Sequence, residues 1–248
     1  MSAFKITLMS LVLSLFLIAT AQTVAPAVVP ITNEPSHHMV LDNEYVRVFY
    51  VEVPPHGETQ YHQHDHDYIF VTLGDSSVDS VRVGEKPAHL DLKDGDTKFT
   101  KGGFAHKAVN QSDKPFRNYT IELKKISGIQ ICDLGEKCWG PITEKNDWLG
   151  EVGVLMEADN FSVRRFKAKS EQAKSENASL LKLCCIHHYD YPALIVPISD
   201  IEYKEWKVVR RVKVGEFIWI DKISANKNQS SRIQVKKSVL SDWIEIDF

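Results

Sequence analysis

The amino-acid sequence predicts an all-β protein built from sandwiches or barrels. Short runs of alternating apolar and polar residues recur along the chain, as at 45–53, 78–83 and 129–131, and Gly, Pro, Asp or Asn separate them. Such alternation is typical of strands that bury one face. Only residues 166–181 approach a helical repeat, and their middle is polar on nearly all sides, so that it fits a loop as well as a helix.

Length and composition limit the classes of protein to consider. The chain has 248 residues, enough for one large domain or two small ones, and 43% of them are hydrophobic, as in ordinary folded proteins. Lys and Arg number 30 against 33 Asp and Glu, which gives a formal charge of -3. Without a long basic run, this balance argues against nucleic acid as a partner.

The first residues have the pattern of a secretory signal peptide. A single Lys5 precedes a largely apolar run that ends at the small residues Ala19-Thr20-Ala21. Because this run is too short to span a bilayer comfortably, we expect cleavage near Ala21 and a secreted or periplasmic mature chain without membrane attachment. Residues 22–39, which show no periodicity, are predicted to be an N-terminal linker.

An eroded internal repeat predicts that the β architecture is duplicated. Residues 42–49 (DNEYVRVF) resemble residues 159–166 (DNFSVRRF), and residues 62–75 resemble residues 187–200 in the same order along the chain. Shared order favours duplication over chance. We therefore interpret the chain as two tandem domains, at 40–125 and 149–248. A linker at 126–148, which is rich in turn residues, joins them.

The four cysteines lie in the second half of the chain. In an exported protein, an even number first suggests disulfides, and the preferred pair is Cys132 with Cys138, since the five residues between them form a plausible turn. Cys184 and Cys185 are adjacent in a predicted strand and would point to opposite faces, as buried thiols. A zinc site of four thiolates lacks the usual paired spacing.

The histidines of the first half form the main chemical pattern. His62, His64 and His66 alternate just before an apolar strand, so that on a strand they would share a face. His106 follows in the segment 101–110, after a turn signal at 94–96. Two distant strands could therefore direct imidazoles to one point.

This pattern resembles the cupin superfamily, whose second motif is Gly-x5-Pro-x-Gly-x2-His-x3-Asn. Gly95, Gly103, His106 and Asn110 fall at the required spacings, while Lys101 replaces the proline. The first motif is looser: the pair at 62 and 64 fits its His-x-His, but the preceding glycine is one residue too close.

The acidic position of the first motif has two readings. Counting back from Gly74 gives Asp67, which also places the apolar residues 69, 71 and 73 on the barrel interior. Counting forward from the first histidine gives Tyr68, which leaves the carboxylate missing. We favour Asp67, with His66 as the substitute ligand if Asp67 fails.

The resemblance implies a jelly-roll (double-stranded β-helix) barrel that holds one divalent metal, which could be Mn, Fe, Ni, Zn or Cu. The implied ligands are His62, His64, His106 and Asp67. Asp65 and Asp67 flank His66 and could orient it or act as a general base, or could be solvated turn carboxylates. Asp65, His66 and Tyr68 are possible outer partners of the ligands or alternate ligands. His37 and His38 are expected to be exposed linker residues.

The second half is a degraded copy in which Tyr189 replaces the second histidine of the motif. We therefore expect a bicupin with one working site, His187 and His188 being structural or exposed. The second barrel would pack on the first or supply a homodimer surface.

The favoured function is that of an exported metal-dependent enzyme acting on a small molecule. Related proteins include oxygenases, decarboxylases, isomerases and lyases, so the reaction is not resolved. The alternatives are a non-catalytic module that binds or senses a sugar or organic acid, and a structural protein that has lost its metal.

Overall fold

The computed structural model describes residues 25–125, 129–130, 139–141, 150–158, 161–168, 186–187, 192–205, 208–221, 231–234 and 241–248. The predicted signal peptide, the proposed Cys132–Cys138 disulfide and Cys184, Cys185 and His188 lie outside these residues. A 3-10 turn, Ile31–Asn33, is the only helix described, and no helix within the described ranges is long and apolar enough to cross a membrane.

Strands make up almost all of the described secondary structure, as the sequence predicts. The first half contains β1 (Val29–Pro30), β2 (His37–Asp42), β3 (Val46–Val53), β4 (His62–His64), β5 (Tyr68–Thr72), β6 (Ser76–Arg82), β7 (Ala88–Leu92), β8 (Thr97–Thr100), β9 (Phe104–Asn110) and β10 (Phe116–Leu123). The second half contains β11 (Ile129–Gln130), β12 (Trp139–Pro141), β13 (Gly150–Ala158), β14 (Phe161–Ala168), β15 (Ile186–His187), β16 (Ala193–Pro197), β17 (Ile201–Glu205), β18 (Val208–Val212), β19 (Ile218–Ile220), β20 (Ser231–Gln234) and β21 (Ser241–Asp247).

These strands form four sheets. Sheet A has the order β1-β4-β9-β6-β7, and sheet B the order β2-β3-β10-β5-β8. Sheet C has the order β11-β13-β14-β21-β16-β19, with β12 also paired to β13, and sheet D the order β15-β20-β17-β18. Sheets A and B thus belong to the first half and sheets C and D to the second, which fits two jelly rolls in tandem.

Three apolar layers join the sheets in the order A, B, C, D. Phe49 and Val51 of sheet B pack with Val78 and Leu92 of sheet A inside the first barrel. Inside the second barrel, Trp243 of sheet C packs with residues of sheet D. The opposite face of sheet B packs on sheet C, through buried residues that include Val48, Ile69, Val71, Tyr119, Ile121, Val163, Leu194, Ile244 and Ile246.

Successive side chains of β5 point to opposite faces of sheet B and so enter different apolar layers, which corrects the expectation for residues 69, 71 and 73. Ile69, Val71 and Leu73 lie in the layer between sheets B and C, whereas Tyr68 and Phe70 line the interior of the first barrel. The expectation that residues 69, 71 and 73 face the barrel interior is therefore wrong. They are buried against the second half instead, because sheet B has an apolar layer on both of its faces.

Polar contacts also join the halves. Arg165 makes two hydrogen bonds to the carboxylate of Asp242 and a third, of 3.2 Å, to the carbonyl oxygen of Asp94. Tyr119 donates a hydrogen bond of 2.6 Å to the carbonyl oxygen of Gly215. In each half, a backbone carbonyl oxygen thus accepts a hydrogen bond from a side chain of the other half.

The predicted linker needs a correction at its carboxyl end. Val29 and Pro30 pair in parallel with β4, and His37 begins strand β2, which pairs with β3. The segment from 29 onwards therefore belongs to the first barrel. Sequence periodicity missed it because β1 is only two residues long and β2 is an edge strand whose residues are mostly exposed.

Candidate metal centre

The register of β4 and β9 brings three histidines together. In this antiparallel pair His62 lies opposite His106, and His64 lies opposite Phe104. Residues in such positions direct their side chains to one face of the sheet, here towards the barrel interior. The ring centroids of His62 and His106 are 4.7 Å apart, and the Nε2 atoms of His64 and His106 are 3.2 Å apart.

A fourth imidazole, that of His37, joins this group from strand β2. Its ring centroid lies 4.5 Å from that of His62, and its side chain is only 5% exposed. His37, His62 and His64 each offer a donor atom within 4.8 Å of the others and could hold a metal ion. The expectation that His37 is an exposed linker residue is therefore wrong, whereas His38 is exposed as expected.

Outer partners orient three of the four rings. The Nδ1 atom of His37 lies 2.6 Å from the Glu34 carboxylate, and that of His62 lies 2.9 Å from the carbonyl oxygen of Gln60. Both partners are acceptors, so each Nδ1 carries a proton, and the Nε2 atom of His62, which has no described hydrogen-bond partner, keeps a free lone pair. The Nδ1 atom of His106 lies 3.1 Å from the hydroxyl of Ser80.

Glu34 is the partner that the sequence analysis missed. Its side chain is 1% exposed and also accepts hydrogen bonds from the backbone N–H groups of Ser36 and Gln60. Burial alone would raise the pKa of this carboxyl, but the hydrogen bonds, foremost that from His37, lower it below its ordinary value. Glu34 is thus a charged acceptor that ties His37 to the segment just before β4.

Glu122 is a second buried carboxylate beside the cluster. It lies on β10 opposite both Arg47 and Tyr68, and its Oε1 atom is 3.7 Å from Nδ1 of His64. This separation is too long for a hydrogen bond. Burial raises the pKa of Glu122, and the guanidinium of Arg47, 3.3 Å from Oε2, opposes that rise.

Burial keeps the central imidazoles neutral. It lowers the pKa of His62 and of His64 to about 3, and that of His106 to about 2, with neighbouring histidines adding to the effect. Neutral imidazole is the form that binds metals. The buried Nε2 atom of His62 has no hydrogen-bond partner in the described protein. A buried lone pair without a partner, beside other imidazole nitrogens, fits a metal ligand.

The structure separates Asp67 from this cluster. The Asp67 carboxylate accepts a hydrogen bond of 2.9 Å from the backbone N–H of Gly102 and does not line the cavity. Asp65 is exposed and bonds to Gln63, and His66 does not line the cavity either. The assignment of Asp67 as the fourth ligand thus lacks geometric support, because β5 begins at residue 68 and directs that residue inwards.

Tyr68 takes the inward position instead. Its ring stacks on His64 with centroids 4.0 Å apart and an interplanar angle of 16°. Burial raises the pKa of the phenol to about 12, so that its hydroxyl stays protonated at neutral pH. Tyr68 therefore restricts the rotation of His64, and its neutral phenol adds no negative charge to the metal-free site.

The remaining motif residues shape the frame of the site. Gly95 and Gly103 have φ values of 75° and 84°, which favour glycine. Asn110 is 1% exposed, and its amide donates to three backbone carbonyls, those of Val53, Pro54 and Lys114. The motif asparagine thus fixes the turn between β9 and β10.

A cavity of about 330 Å³ opens beside the imidazoles. Its interior is largely apolar, with Val51, Leu90 and Phe116 among the lining residues, and Asn118 and Thr120 add polar groups. This volume lies at the small end of the range for ligand sites. The fold and the histidine cluster thus define a β-barrel protein with a candidate metal centre and a pocket for a small molecule.

Comparisons with known proteins agree with this description. The beta-alanine degradation protein BauB of Pseudomonas aeruginosa is 35% identical over 72 residues, which are 29% of this chain and 75% of that protein. No family model matches the chain.

Solved structures show the same fold. The putative glyoxylate-induced protein of Pseudomonas aeruginosa has a TM-score of 0.57 and 13% identity, over 87% of this chain and 81% of that one. A cupin 2 conserved barrel domain protein of Leptotrichia buccalis has a TM-score of 0.52 and 10% identity, over 85% and 87%. The chain belongs to the same family as BauB and has the fold of the cupin barrels.

Proposed function

We propose that this chain is an exported metal-dependent cupin enzyme that acts on a small organic molecule. The observation that carries the proposal is the convergence of four imidazoles, those of His37, His62, His64 and His106, beside an apolar cavity. The metal would supply Lewis-acid polarisation of a substrate oxygen.

The donor set narrows the range of metals. Imidazole suits Fe, Ni, Cu and Zn, whereas Mn prefers oxygen ligands such as carboxylates. The Asp67 carboxylate bonds to the backbone N–H of Gly102 and is not part of the donor set. The four imidazoles therefore favour Fe, Ni, Cu or Zn over Mn. The outer partners of the rings support this assignment, because a carboxylate or carbonyl that holds Nδ1–H fixes the tautomer and strengthens Nε2 as a ligand.

A non-catalytic binding module is the second candidate. Glu85, at the exposed rim, is the only carboxylate among the described residues that line the cavity. A proton-transfer step inside the pocket would therefore depend on groups such as Tyr68, whose raised pKa makes it a weak acid. Tight ligand binding without turnover would favour this candidate.

Metal analysis tests the proposal. The chain from residue 22 onwards is purified without chelator or affinity histidines, and its metals are measured by elemental mass spectrometry. We expect about one equivalent of transition metal. A His62→Ala, His106→Ala double variant should lose it, whereas a His56→Ala, His89→Ala control, which removes two exposed histidines, should keep it. Equal metal contents in the two variants would refute the assignment, as would a wild-type chain that binds no metal after reconstitution.

Export has a separate test. The proposal predicts a mature N-terminus near Gln22, which mass spectrometry of the protein from its native source would detect. An intact Met1 in soluble cytoplasmic protein would contradict export and leave the metal assignment unaffected.

A further inference from the structure

The rim of the cavity in the first barrel carries an excess of positive charge. Arg82, Lys86 and Lys98 lie among its lining residues and are exposed, whereas Glu85 is the single carboxylate among the described lining residues. The interior behind this rim is largely apolar. A molecule that matches both parts would have an apolar body and an anionic end.

The register of β6 directs Arg82 towards the cavity. Arg82 lies opposite His106 in the pairing of β6 with β9, and Ser80, two residues earlier, contacts the ring of His106. Arg82 and Ser80 therefore share the inner face. The Arg82 guanidinium lies 4.0 Å from the centroid of the Phe104 ring, and that ring lies 5.2 Å from His106.

Arg82 differs from the other arginines of the first half in its partners. Arg47 bonds to Asp42 and Glu122, and Arg117 bonds to Glu52. Among the described residues, no carboxylate pairs with Arg82, whose guanidinium lies over the face of Phe104. Stacking leaves the edge of the guanidinium, with its N–H donors, available to a ligand.

We propose that the cavity binds a small monocarboxylate, whose carboxylate is held by Arg82 at the rim and whose apolar body lies beside the imidazoles. This inference rests on the proposed function, in which the cavity is the substrate site. Arginine presents two parallel N–H groups that match the two oxygens of a carboxylate. Lys86 and Lys98 add long-range attraction for the anion. The rim thus favours an organic acid over a neutral sugar.

Ligand-observed NMR titration of the full mature chain tests the inference with hexanoate and its neutral amide, hexanamide. We expect hexanoate to bind and hexanamide to bind at least roughly tenfold more weakly, because a charge-assisted bond is lost. Arg82→Gln should weaken hexanoate binding by a similar factor and leave hexanamide binding unchanged. The matched control is Arg117→Gln, which removes an arginine on the outer face of the same half. Added salt should weaken hexanoate binding alone.

The outcomes separate this inference from the proposed function. Metal content is measured on each variant, and Arg82→Gln should retain the metal because it leaves all four imidazoles in place. Equal binding of acid and amide, no binding of either at millimolar concentration, or full hexanoate affinity in Arg82→Gln would overturn the inference. Arg82-dependent hexanoate binding by a chain without metal would support the inference and refute the metal proposal.

Discussion

Strand β10 carries Thr120 on its inner face, opposite Phe49, whereas the corresponding closing strand of the second half, β21, carries Trp243 opposite Phe166. Thr120 lines a cavity, but Trp243 is 1% exposed and stacks on Phe166 with centroids 5.0 Å apart. One barrel therefore keeps space beside its imidazoles, and the other fills the same kind of space with an indole. The two halves thus differ in their interiors: the first has an open cavity, and the second has a filled core.

Both halves keep a buried carboxylate on the closing strand. Glu122 contacts Arg47 in the first half, and Glu245 contacts Arg164 in the second, each at 3.3 Å. The arginine–carboxylate pair is therefore part of the shared frame. The imidazoles of His37, His62, His64 and His106 distinguish the first barrel among the described residues.

Among single substitutions, the largest expected effect on stability comes from emptying the filled barrel. Trp243→Ala removes a fully buried indole from the second core and should lower the free energy of unfolding by roughly 3–5 kcal/mol. Thr120→Ala, the matched change in the first barrel, removes one hydrogen bond to Asn118 and should cost only about 1 kcal/mol. Urea unfolding measures both, and similar costs would contradict the contrast between the barrels.

The next effect concerns the partner of His37. Glu34→Gln removes the charge that holds Nδ1 of His37 and should weaken metal binding roughly 10–100-fold. Competition with a metal chelator measures this affinity, and circular dichroism checks the fold. Glu52→Gln, which changes an exposed carboxylate, is the control. A folded Glu34→Gln protein with unchanged metal affinity would show that Glu34 acts on the fold alone.

The metal-free chain should lose stability in acid because of the first barrel. Burial holds the pKa values of His62 and His64 at about 3 and that of His106 at about 2, so the unfolded chain binds protons that the folded chain does not. The free energy of unfolding should therefore stay at its full value above about pH 6.5. At lower pH it should decrease by up to about 1.4 kcal/mol per pH unit for each imidazole.

Urea unfolding between about pH 7 and pH 5 measures this slope in metal-free protein. The His62→Ala, His106→Ala variant, which lacks two of the three imidazoles, should show a shallower slope. An unchanged slope would place the acid sensitivity elsewhere in the chain.

The smallest effect tests the contact between the halves. Gly95 and Gly215 both have positive φ values, of 75° and 87°, so alanine at either position should cost about 1 kcal/mol in backbone strain. A methyl group at Gly95 would also lie 2.6 Å from the Arg165 guanidinium, whereas one at Gly215 would meet no atom within 4 Å.

Thermal unfolding of Gly95→Ala and Gly215→Ala should therefore show a larger loss for Gly95→Ala. Combining Gly95→Ala with Arg165→Ala should remove the excess, as expected for two groups in contact. Equal losses in the two single variants would mean that Arg165 moves aside without cost.

The sequence predicts the β fold because strand alternation is a local rule. The trio of His62, His64 and His106 follows instead from the resemblance to the cupin motifs, since alternation alone also included His66. The same rules could not decide between Asp67 and Tyr68, since only three residues separate β4 from β5 and a change of one residue reverses the face.

Other parts of the site depend on contacts that no local pattern encodes. His37 reaches the cluster from an edge strand without clear alternation, and Glu34 reaches it from the segment just before that strand. Glu122 sits in a strand whose buried positions are mostly apolar, so that its inward direction follows only from the pairing with β3 and β5. These residues were found from the tertiary structure.

An anomalous-difference map from a crystal of the metal-loaded chain would show directly whether the imidazoles hold a metal. We expect one metal peak per chain, bounded by the imidazoles of His37, His62, His64 and His106, and no metal peak in the second half. A peak in the second half, or ligation by the Asp67 carboxylate in place of His37, would contradict it.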